Sequence, residues 1–127
     1  MLKYTFKPKP EKSVKVYGRA LRISKKDSVT ICKEITGKNL EKGKDFLDGL
    51  TSQKRDINGK YYTNSAKELL NLLKSAESNA EFKGLDTEKL FIHASAHKGF
   101  TFWRPRRFKL RRRKRKMANV QIVLEQR

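Results

Sequence analysis

The chain has 127 residues, with 32 lysines and arginines against 13 aspartates and glutamates, which gives a formal net charge of +19. This length suits one domain that buries a core of its own. The lone Cys32 excludes an internal disulfide, so nothing in the composition requires an oxidising compartment. No run approaches the ~18 apolar residues of a membrane span, and the polar, lysine-rich start predicts no secretory signal. We therefore expect a basic, soluble, intracellular domain with no membrane partner.

The first part of the chain predicts an arm, a strand and a helix. Residues 1–13, rich in lysine and proline, predict an extended N-terminal arm. Loose alternation of apolar residues over 14–23 predicts a strand. Ser24, with Asp27 three positions later, is a variant of the capping box and predicts that a helix begins here. Gly37 is expected to end that helix, because glycine adopts the left-handed conformation at little cost.

The rest of the sequence, after Gly37, predicts two more helices and two more strands. A short helix is expected after Asn39, and apolar residues at three- and four-residue spacing predict a long helix over 65–83. Clean alternation predicts strands over 90–97 and 120–125. Because helices and strands are segregated along the chain, the predicted class is α+β. We expect a small three-stranded antiparallel sheet packed against three helices.

The positive charge is concentrated near the C-terminus. Residues 1–97 carry a net charge of +8, whereas residues 98–127 carry +11. Within 104–116, called the basic segment below, ten of thirteen residues are lysine or arginine and none is acidic. Such a run repels itself unless a polyanion neutralises it. Since an alternating apolar strand follows, the basic segment is predicted to be a loop held at both ends.

Nucleic acid is the polyanion that this pattern indicates. Lysine and arginine neutralise phosphates, and arginine also stacks on bases. Four aromatic residues are interleaved with the cations: Phe100, Phe102, Trp103 and Phe108. The first three either pack on one another or stack on unpaired bases, and both readings remain open. For Phe108 the stacking interpretation is favoured.

Other chemistry has little support in the sequence. His93 and His97 share one predicted strand face, but a metal site would need more ligands, so surface or RNA-facing histidines are the simpler interpretation. No nucleophile motif, phosphate-cradling glycine loop or carboxylate pair is present. We therefore predict that the protein is not an enzyme and needs no cofactor or metal.

One stretch resembles the signature of a known family. Residues 75–86, SAESNAEFKGLD, followed by Lys89-Leu90-Phe91-Ile92, resemble the universal large-subunit ribosomal protein family numbered twenty-two in bacteria and seventeen in eukaryotes. Further segments are similar to the family at 17–24, 35–38, 66–70 and 120–125. The resemblance covers residues 14–127. The sequence of residues 94–99 is more similar to the archaeal and eukaryotic branch of the family.

The resemblance implies a role. Residues 14–127 would form a single ribosomal-protein domain, with 98–118 as a long, protruding basic β-hairpin that passes through ribosomal RNA. The body would lie near the exit of the peptide tunnel, beside neighbouring large-subunit proteins, in the cytoplasmic ribosome. The tip that lines the tunnel and meets the nascent peptide would comprise Arg107, Phe108, Lys109, Leu110, Arg111 and Arg112. This tip lacks the glycine that is common in the family, and the loop before the long helix is short for that branch.

Charge and resemblance together predict the residues that bind large-subunit ribosomal RNA. These are Arg19, Lys25, Lys26, Lys60, Lys98, Trp103, Arg104, Arg106, Arg107, Phe108, Lys109, Arg111, Arg112, Arg113, Lys114, Arg115 and Lys116. The alternative is a basic DNA-binding or chromatin-type module. A DNA-binding module would more often carry its cations on a recognition helix. The basic segment is not predicted to be a helix.

Overall fold

The part of the chain that the structure describes has three strands and three helices, in the order that the sequence predicts. A computed structural model describes residues 3–105 and 107–127. The elements are β1 Ser13–Leu21, α1 Lys25–Ile35, α2 Leu40–Thr51, α3 Thr63–Phe82, β2 Leu90–Trp103 and β3 Lys114–Gln126. Single 3₁₀ turns lie at Pro10–Lys12, Thr87–Lys89 and Phe108–Leu110. The predicted α+β class is confirmed.

The last strand occupies the centre of the sheet. The strand order is β1-β3-β2, and both pairs are antiparallel. Ile122 of β3 lies opposite Val16 of β1 on one side and Ala94 of β2 on the other. Val120, Ile122 and Leu124 are fully buried. The alternating segment at the C-terminus therefore joins the strands on both sides, which explains why the chain returns after the basic segment.

The helix ends follow the predicted capping residues. The Ser24 hydroxyl accepts the Asp27 N–H at 3.5 Å, and the Asn39 side chain accepts the Leu40 N–H at 2.8 Å. Helix α3 ends in a Schellman motif, in which Gly84 has φ +71° and the Leu85 N–H donates to the Ala80 carbonyl at 3.0 Å. These bonds satisfy backbone groups that a helix end leaves free.

The end of α1 is tied to the edge of the sheet. Gly37 adopts φ +84°, as its predicted role requires, but its N–H donates to the Ile92 carbonyl at 2.8 Å and not to the helix. The Ile92 N–H in turn donates to the Lys38 carbonyl at 3.0 Å. Glycine therefore turns the chain so that the segment after α1 bonds to the free edge of β2.

All three helices contribute apolar side chains to one core against the sheet. The largest fully buried side chains are Ile31, Ile35, Leu40, Leu47, Leu50, Leu69, Leu73, Leu90, Ile92, Ile122, Leu124 and Val120. Helix α2 approaches β2 at Gly43, where any Cβ would collide with the end of the Ile92 side chain. Within the described part of the chain, no helix is both long and apolar enough to cross a membrane.

Several boundaries differ from the prediction. Strand β3 begins at Lys114 and not near residue 120, because Lys114, Arg115 and Lys116 pair with β2. Strand β2 continues from His97 to Trp103, because an irregularity between Lys98 and Thr101 shifts the alternation without ending the pairing with β3. Strand β1 ends at Leu21 after a bulge. Helix α3 begins at Thr63, because the Tyr62 carbonyl already accepts the Ala66 N–H.

Candidate nucleic-acid interface

A cationic cleft lies between the start of α1 and the distal part of the β2–β3 pair. Its volume is about 820 Å³. Its lining comprises Arg22, Ile23, Ser24, Lys25, Lys26, Lys98, Phe102, Arg104, Lys114, Arg115, Lys116 and Met117. Eight of these twelve residues are lysine or arginine, and none of the residues named as lining it is acidic. The lining therefore has the charge of a phosphate-binding groove.

The strand register concentrates the cations on the distal part of the sheet. Beyond the irregularity after Lys98, Phe102 lies opposite Arg115, and Trp103 lies opposite Lys114. Directly opposed residues of an antiparallel pair project from the same face. The pairing thus places an aromatic side chain beside a cation on each face of the hairpin.

Helix α1 contributes the other wall of the cleft. Lys25 and Lys26 are its first two residues, and Ser24 caps it. The free N–H groups and the aligned peptide dipoles at this end carry a partial positive charge that adds to that of the lysines. Asp27 lies in the same first turn but does not line the cleft, so the groups of α1 that line it, Ser24, Lys25 and Lys26, contribute no negative charge.

The positive charge of the cleft is not neutralised by the protein. In residues 3–105 and 107–127, the ion pairs of lysine and arginine are Lys44–Glu77, Lys89–Asp86 and Arg127–Glu125. None of them involves a cation of the cleft. Cations without carboxylate partners leave a field that attracts a polyanion.

The aromatic side chains fall into two groups. Phe100 and Phe102 stack on each other, with ring centroids 6.3 Å apart and planes 19° apart. Trp103 is 62% exposed and has the Lys114 Nζ 4.3 Å from its ring centroid, while Phe108 is 87% exposed. Mutual packing covers part of the first two rings, but Phe100 is still 65% exposed, so Phe100, Trp103 and Phe108 all leave large surfaces open to a ligand.

The connection between β2 and β3 has no glycine in its sequence, and several of its described residues are hydrogen-bonded to one another. The Arg104 N–H donates to the Arg113 carbonyl at 2.9 Å, and the Leu110 N–H donates to the Arg107 carbonyl at 2.8 Å. Arg112 takes φ +59°, a left-handed conformation that costs a non-glycine residue ~1–2 kcal/mol. Because the predicted tip contains no glycine, Arg112 takes the left-handed conformation there and its backbone is strained.

The structure brings only part of the predicted set together. Seven predicted cations line the cleft: Lys25, Lys26, Lys98, Arg104, Lys114, Arg115 and Lys116. Arg19, on the bulge of β1, and Lys60, in the turn before α3, are exposed and lie outside it. Arg107, Lys109, Arg111, Arg112 and Arg113 are exposed in the connection. Arg106 lies outside the described residues.

The sequence reasoning missed Arg22 and Met117 as parts of this site, and assigned Phe102 no definite role. Arg22 directly precedes the predicted start of α1, so its proximity to Lys25 and Lys26 was a usable signal. The positions of Phe102 and Met117 depend on the irregularity between Lys98 and Thr101, which alternation alone does not reveal.

Comparison with known proteins gives a consistent result. A family model described as ribosomal protein L22p/L17e matches residues 16–125. The large ribosomal subunit protein uL22 of Methanocaldococcus jannaschii is 34% identical over 98% of this chain and 95% of its own length. The corresponding protein of Archaeoglobus fulgidus is 35% identical over 96% of this chain and 94% of its own length.

The protein of the same name from Methanococcus aeolicus is 32% identical over 98% of this chain and 97% of its own length. That alignment has 148 positions, so at least 21 of them have no counterpart among the 127 residues here. The family match begins within β1 and ends within β3, so it includes all three helices and strand β2 in full and most of β1 and β3. The chain belongs to the ribosomal protein L22p/L17e family and is a structural, non-enzymatic component of the large subunit of the cytoplasmic ribosome.

Proposed function

We propose that the protein binds large-subunit ribosomal RNA through the cationic cleft and the β2–β3 connection. Its body would lie near the exit of the peptide tunnel, beside neighbouring ribosomal proteins. The observation that carries the proposal is the cleft itself, in which eight cations face one space without a carboxylate partner. Family membership supports RNA as the polyanion.

Binding in the cleft would be chiefly electrostatic. Each lysine or arginine that neutralises a phosphate releases condensed counterions, and this release favours association without reading sequence. The N-terminus of α1 supplies backbone donors for phosphate oxygens between Lys25 and the hairpin. The cleft would therefore hold an RNA backbone by shape and charge.

The exposed aromatic side chains would add contacts to bases. Trp103 and Phe108 present open ring surfaces among arginines and lysines. Stacking of an unpaired base on an aromatic ring contributes about 1–3 kcal/mol by alanine substitution. These two rings would select unpaired nucleotides near the hairpin, whereas the cleft would hold the backbone.

The β2–β3 connection is the proposed tunnel element. Residues 107–109 and 111–112 are exposed, and Leu110 is partly exposed. Such a surface gains contacts only when another molecule surrounds it. We propose that Arg107, Phe108, Lys109, Leu110, Arg111 and Arg112 line the tunnel and meet the nascent peptide there, as the family resemblance implies.

A DNA-binding module is the less favoured alternative. Six of the eight cations that line the cleft lie outside helices: five are on β2, on β3 or directly after β2, and Arg22 directly follows β1. Helix α1 carries Asp27 and Glu34 among its lysines, so it is not uniformly basic. This arrangement does not offer the single basic helix by which many proteins read the major groove.

Salt dependence tests RNA binding by the cleft. We expect log affinity for a ribosomal RNA fragment to fall steeply with log salt, and the double variant Lys25→Gln/Lys26→Gln to reduce the slope by about 2. The matched control, Lys67→Gln/Lys74→Gln, removes the same charge from exposed positions of α3 outside the cleft and should change the slope little. Equal slopes for both variants would contradict a specific role for the cleft.

Replacing the tip tests the tunnel assignment. Arg104 and Arg113 are hydrogen-bonded across the base of the connection, so Asn-Gly in place of residues 105–112 leaves a two-residue hairpin loop. A structure of large subunits with this variant should show a changed tunnel wall around an unchanged protein body. An unchanged wall would mean that the tip lies elsewhere.

A further inference from the structure

The N-terminal arm has two different faces. Along residues 3–9, exposure alternates from one residue to the next. Tyr4, Phe6 and Pro8 are partly buried, whereas Lys3 and Lys7 lie among the exposed residues between them. Lys9, also exposed, continues the same side of the arm. Alternation of this kind is typical of an extended segment that packs one face on a protein surface and leaves the other in solvent.

An aromatic stack holds the middle of the arm on the sheet. The Phe6 ring lies 3.8 Å from the His93 ring, with the planes 16° apart. The His93 Nε2 is 3.4 Å from a carboxylate oxygen of Glu125, across the β2–β3 pair. His93 was expected to be a surface or RNA-facing residue, but the arm covers it. The stack fixes Phe6 over the outer face of the sheet.

A buried glutamine holds the start of the arm. Gln121 of β3 is only 6% exposed, and its carbonyl Oε1 accepts the Thr5 N–H at 3.2 Å. Its Nε2 donates to the Lys3 carbonyl at 2.9 Å. One carboxamide thus bonds the backbone on both sides of Tyr4, so the arm has a fixed position along the sheet.

We propose that this docked arm is a second RNA-binding surface, separate from the cationic cleft. Its exposed lysines are Lys3, Lys7, Lys9, Lys12 and Lys15, and the only acidic residue in the same stretch is Glu11. The Lys15 Nζ lies 5.5 Å from the Tyr4 ring centroid, so this lysine contacts the arm although it belongs to β1. The inference rests on the proposed function, because it takes ribosomal RNA as the ligand.

Docking is what distinguishes this arm from a solvated basic tail. A free tail would lose backbone conformational freedom, at a cost in free energy, when it was ordered on RNA. Here the contacts of Phe6 and Gln121 have already ordered the backbone that carries the lysines. Less of the binding free energy is then lost to ordering, which is the advantage of preorganisation.

The arm and the cleft lie at different places on the sheet. The arm contacts His93, Ser95 and Gln121, which alternate with the core-facing residues of β2 and β3. The cleft is formed with the start of α1, and none of the arm residues that the structure describes, from Lys3 onward, lines it. RNA bound to both surfaces would contact the domain from two sides, so the domain would hold two segments of RNA together.

Three variants test the proposal against binding to large-subunit ribosomal RNA. The triple change Lys3→Gln/Lys7→Gln/Lys9→Gln should lower the salt slope by about 2–3 and raise Kd roughly tenfold or more near physiological salt. The control, Lys42→Gln/Lys67→Gln/Lys74→Gln, removes three exposed helical lysines and should change Kd much less. Phe6→Ala keeps every lysine but removes the stack, and should raise Kd severalfold while the salt slope stays close to that of the parent.

Backbone footprinting then locates the contacts. The arm triple variant should lose protection at nucleotides other than those lost by the cleft variant Lys25→Gln/Lys26→Gln. If the cleft variant weakens binding and the arm variant matches its control, the arm is not a second RNA-binding surface. RNA binding by the cleft, the proposed function, would still stand. If neither variant weakens binding, both proposals fail. An unchanged Kd for Phe6→Ala would show that docking is irrelevant and that the lysines act as a free tail or not at all.

Discussion

Gly99 of β2 lies against the main-chain carbonyl of Met117 in β3, so closely that a Cβ on residue 99 would be 2.9 Å from the carbonyl oxygen. The contact lies at the irregularity where the pairing shifts between Lys98 and Thr101. Beyond it the sheet no longer packs on the core and carries the cations of the cleft. Glycine is required here because a second backbone occupies the space of a side chain.

The variant Gly99→Ala should therefore destabilise the distal part of the β2–β3 pair. Since the obstructing atom belongs to the backbone, it cannot rotate away, and we expect a loss of ~1–3 kcal/mol in the free energy of unfolding. Urea denaturation measures it. Gly49→Ala is the matched control, because there the Cβ meets only the flexible Arg55 side chain, and alanine favours helix α2 by up to ~1 kcal/mol. Equal stability of the two variants would contradict the packing described at Gly99.

A charge in the core should unfold the body. Leu73 of α3 is fully buried among apolar side chains, as is Leu69 one turn earlier. Leu73→Asp places an unpaired carboxylate there, and we expect a loss of at least ~4 kcal/mol and no cooperative unfolding transition. Lys74→Asp, at the next and exposed position, should retain the transition in circular dichroism. A folded Leu73→Asp protein would mean that α3 does not face the core.

Amide hydrogen exchange should be slow in the packed body of the free protein and fast in the connection between β2 and β3. Amides of α3 and central β3 lie in the packed body and should be strongly protected. The described residues of the connection, 104–105 and 107–113, are mostly exposed and have little to bury, so the connection should exchange rapidly without RNA. The sequence analysis placed Lys114, Arg115 and Lys116 in the same loop, but they pair with β2 and should show intermediate protection. Strong protection of 104–113 in the absence of RNA would contradict this division.

Cys32 should report unfolding through its thiol. Burial raises its pKa to about 12, compared with an ordinary value of 9.0, because the thiolate loses hydration in the core. The native thiol should thus resist alkylation at pH 8, and reactivity should follow global unfolding. Because the folded pKa is raised, the contribution of Cys32 to stability is complete below pH 9 and is lost as the pH rises towards 12. Rapid alkylation of the native protein at pH 8 would show that Cys32 is accessible.

Patterns over short stretches of the sequence predicted the structural features that depend on neighbouring residues. The Ser24 and Asn39 caps, the Gly37 and Gly84 helix ends and the order of the elements follow from spacing and from glycine conformation. These features depend on residues within one or two turns of each other. Periodicity in the sequence therefore predicted most of the body.

Contacts between distant residues were not predictable in the same way. Gln121 bonds to Lys3 and Thr5, more than a hundred positions away, and no periodicity in the sequence reveals that pairing. An extended N-terminal arm was therefore predictable, whereas its docking on the sheet was not. Similarly, the charge of the basic segment predicted a polyanion ligand, but only the register of β2 and β3 placed Arg104 and Lys114 beside Lys25.

Sedimentation of an extract from cells that express the tagged chain measures whether it is held in the large ribosomal subunit through its cationic surfaces, as we propose. We expect the chain to travel with large subunits and whole ribosomes, and the cleft variant Lys25→Gln/Lys26→Gln to dissociate from them at lower salt than the Lys67→Gln/Lys74→Gln control. A chain that stays at the top of the gradient, or that travels with small subunits alone, would contradict it.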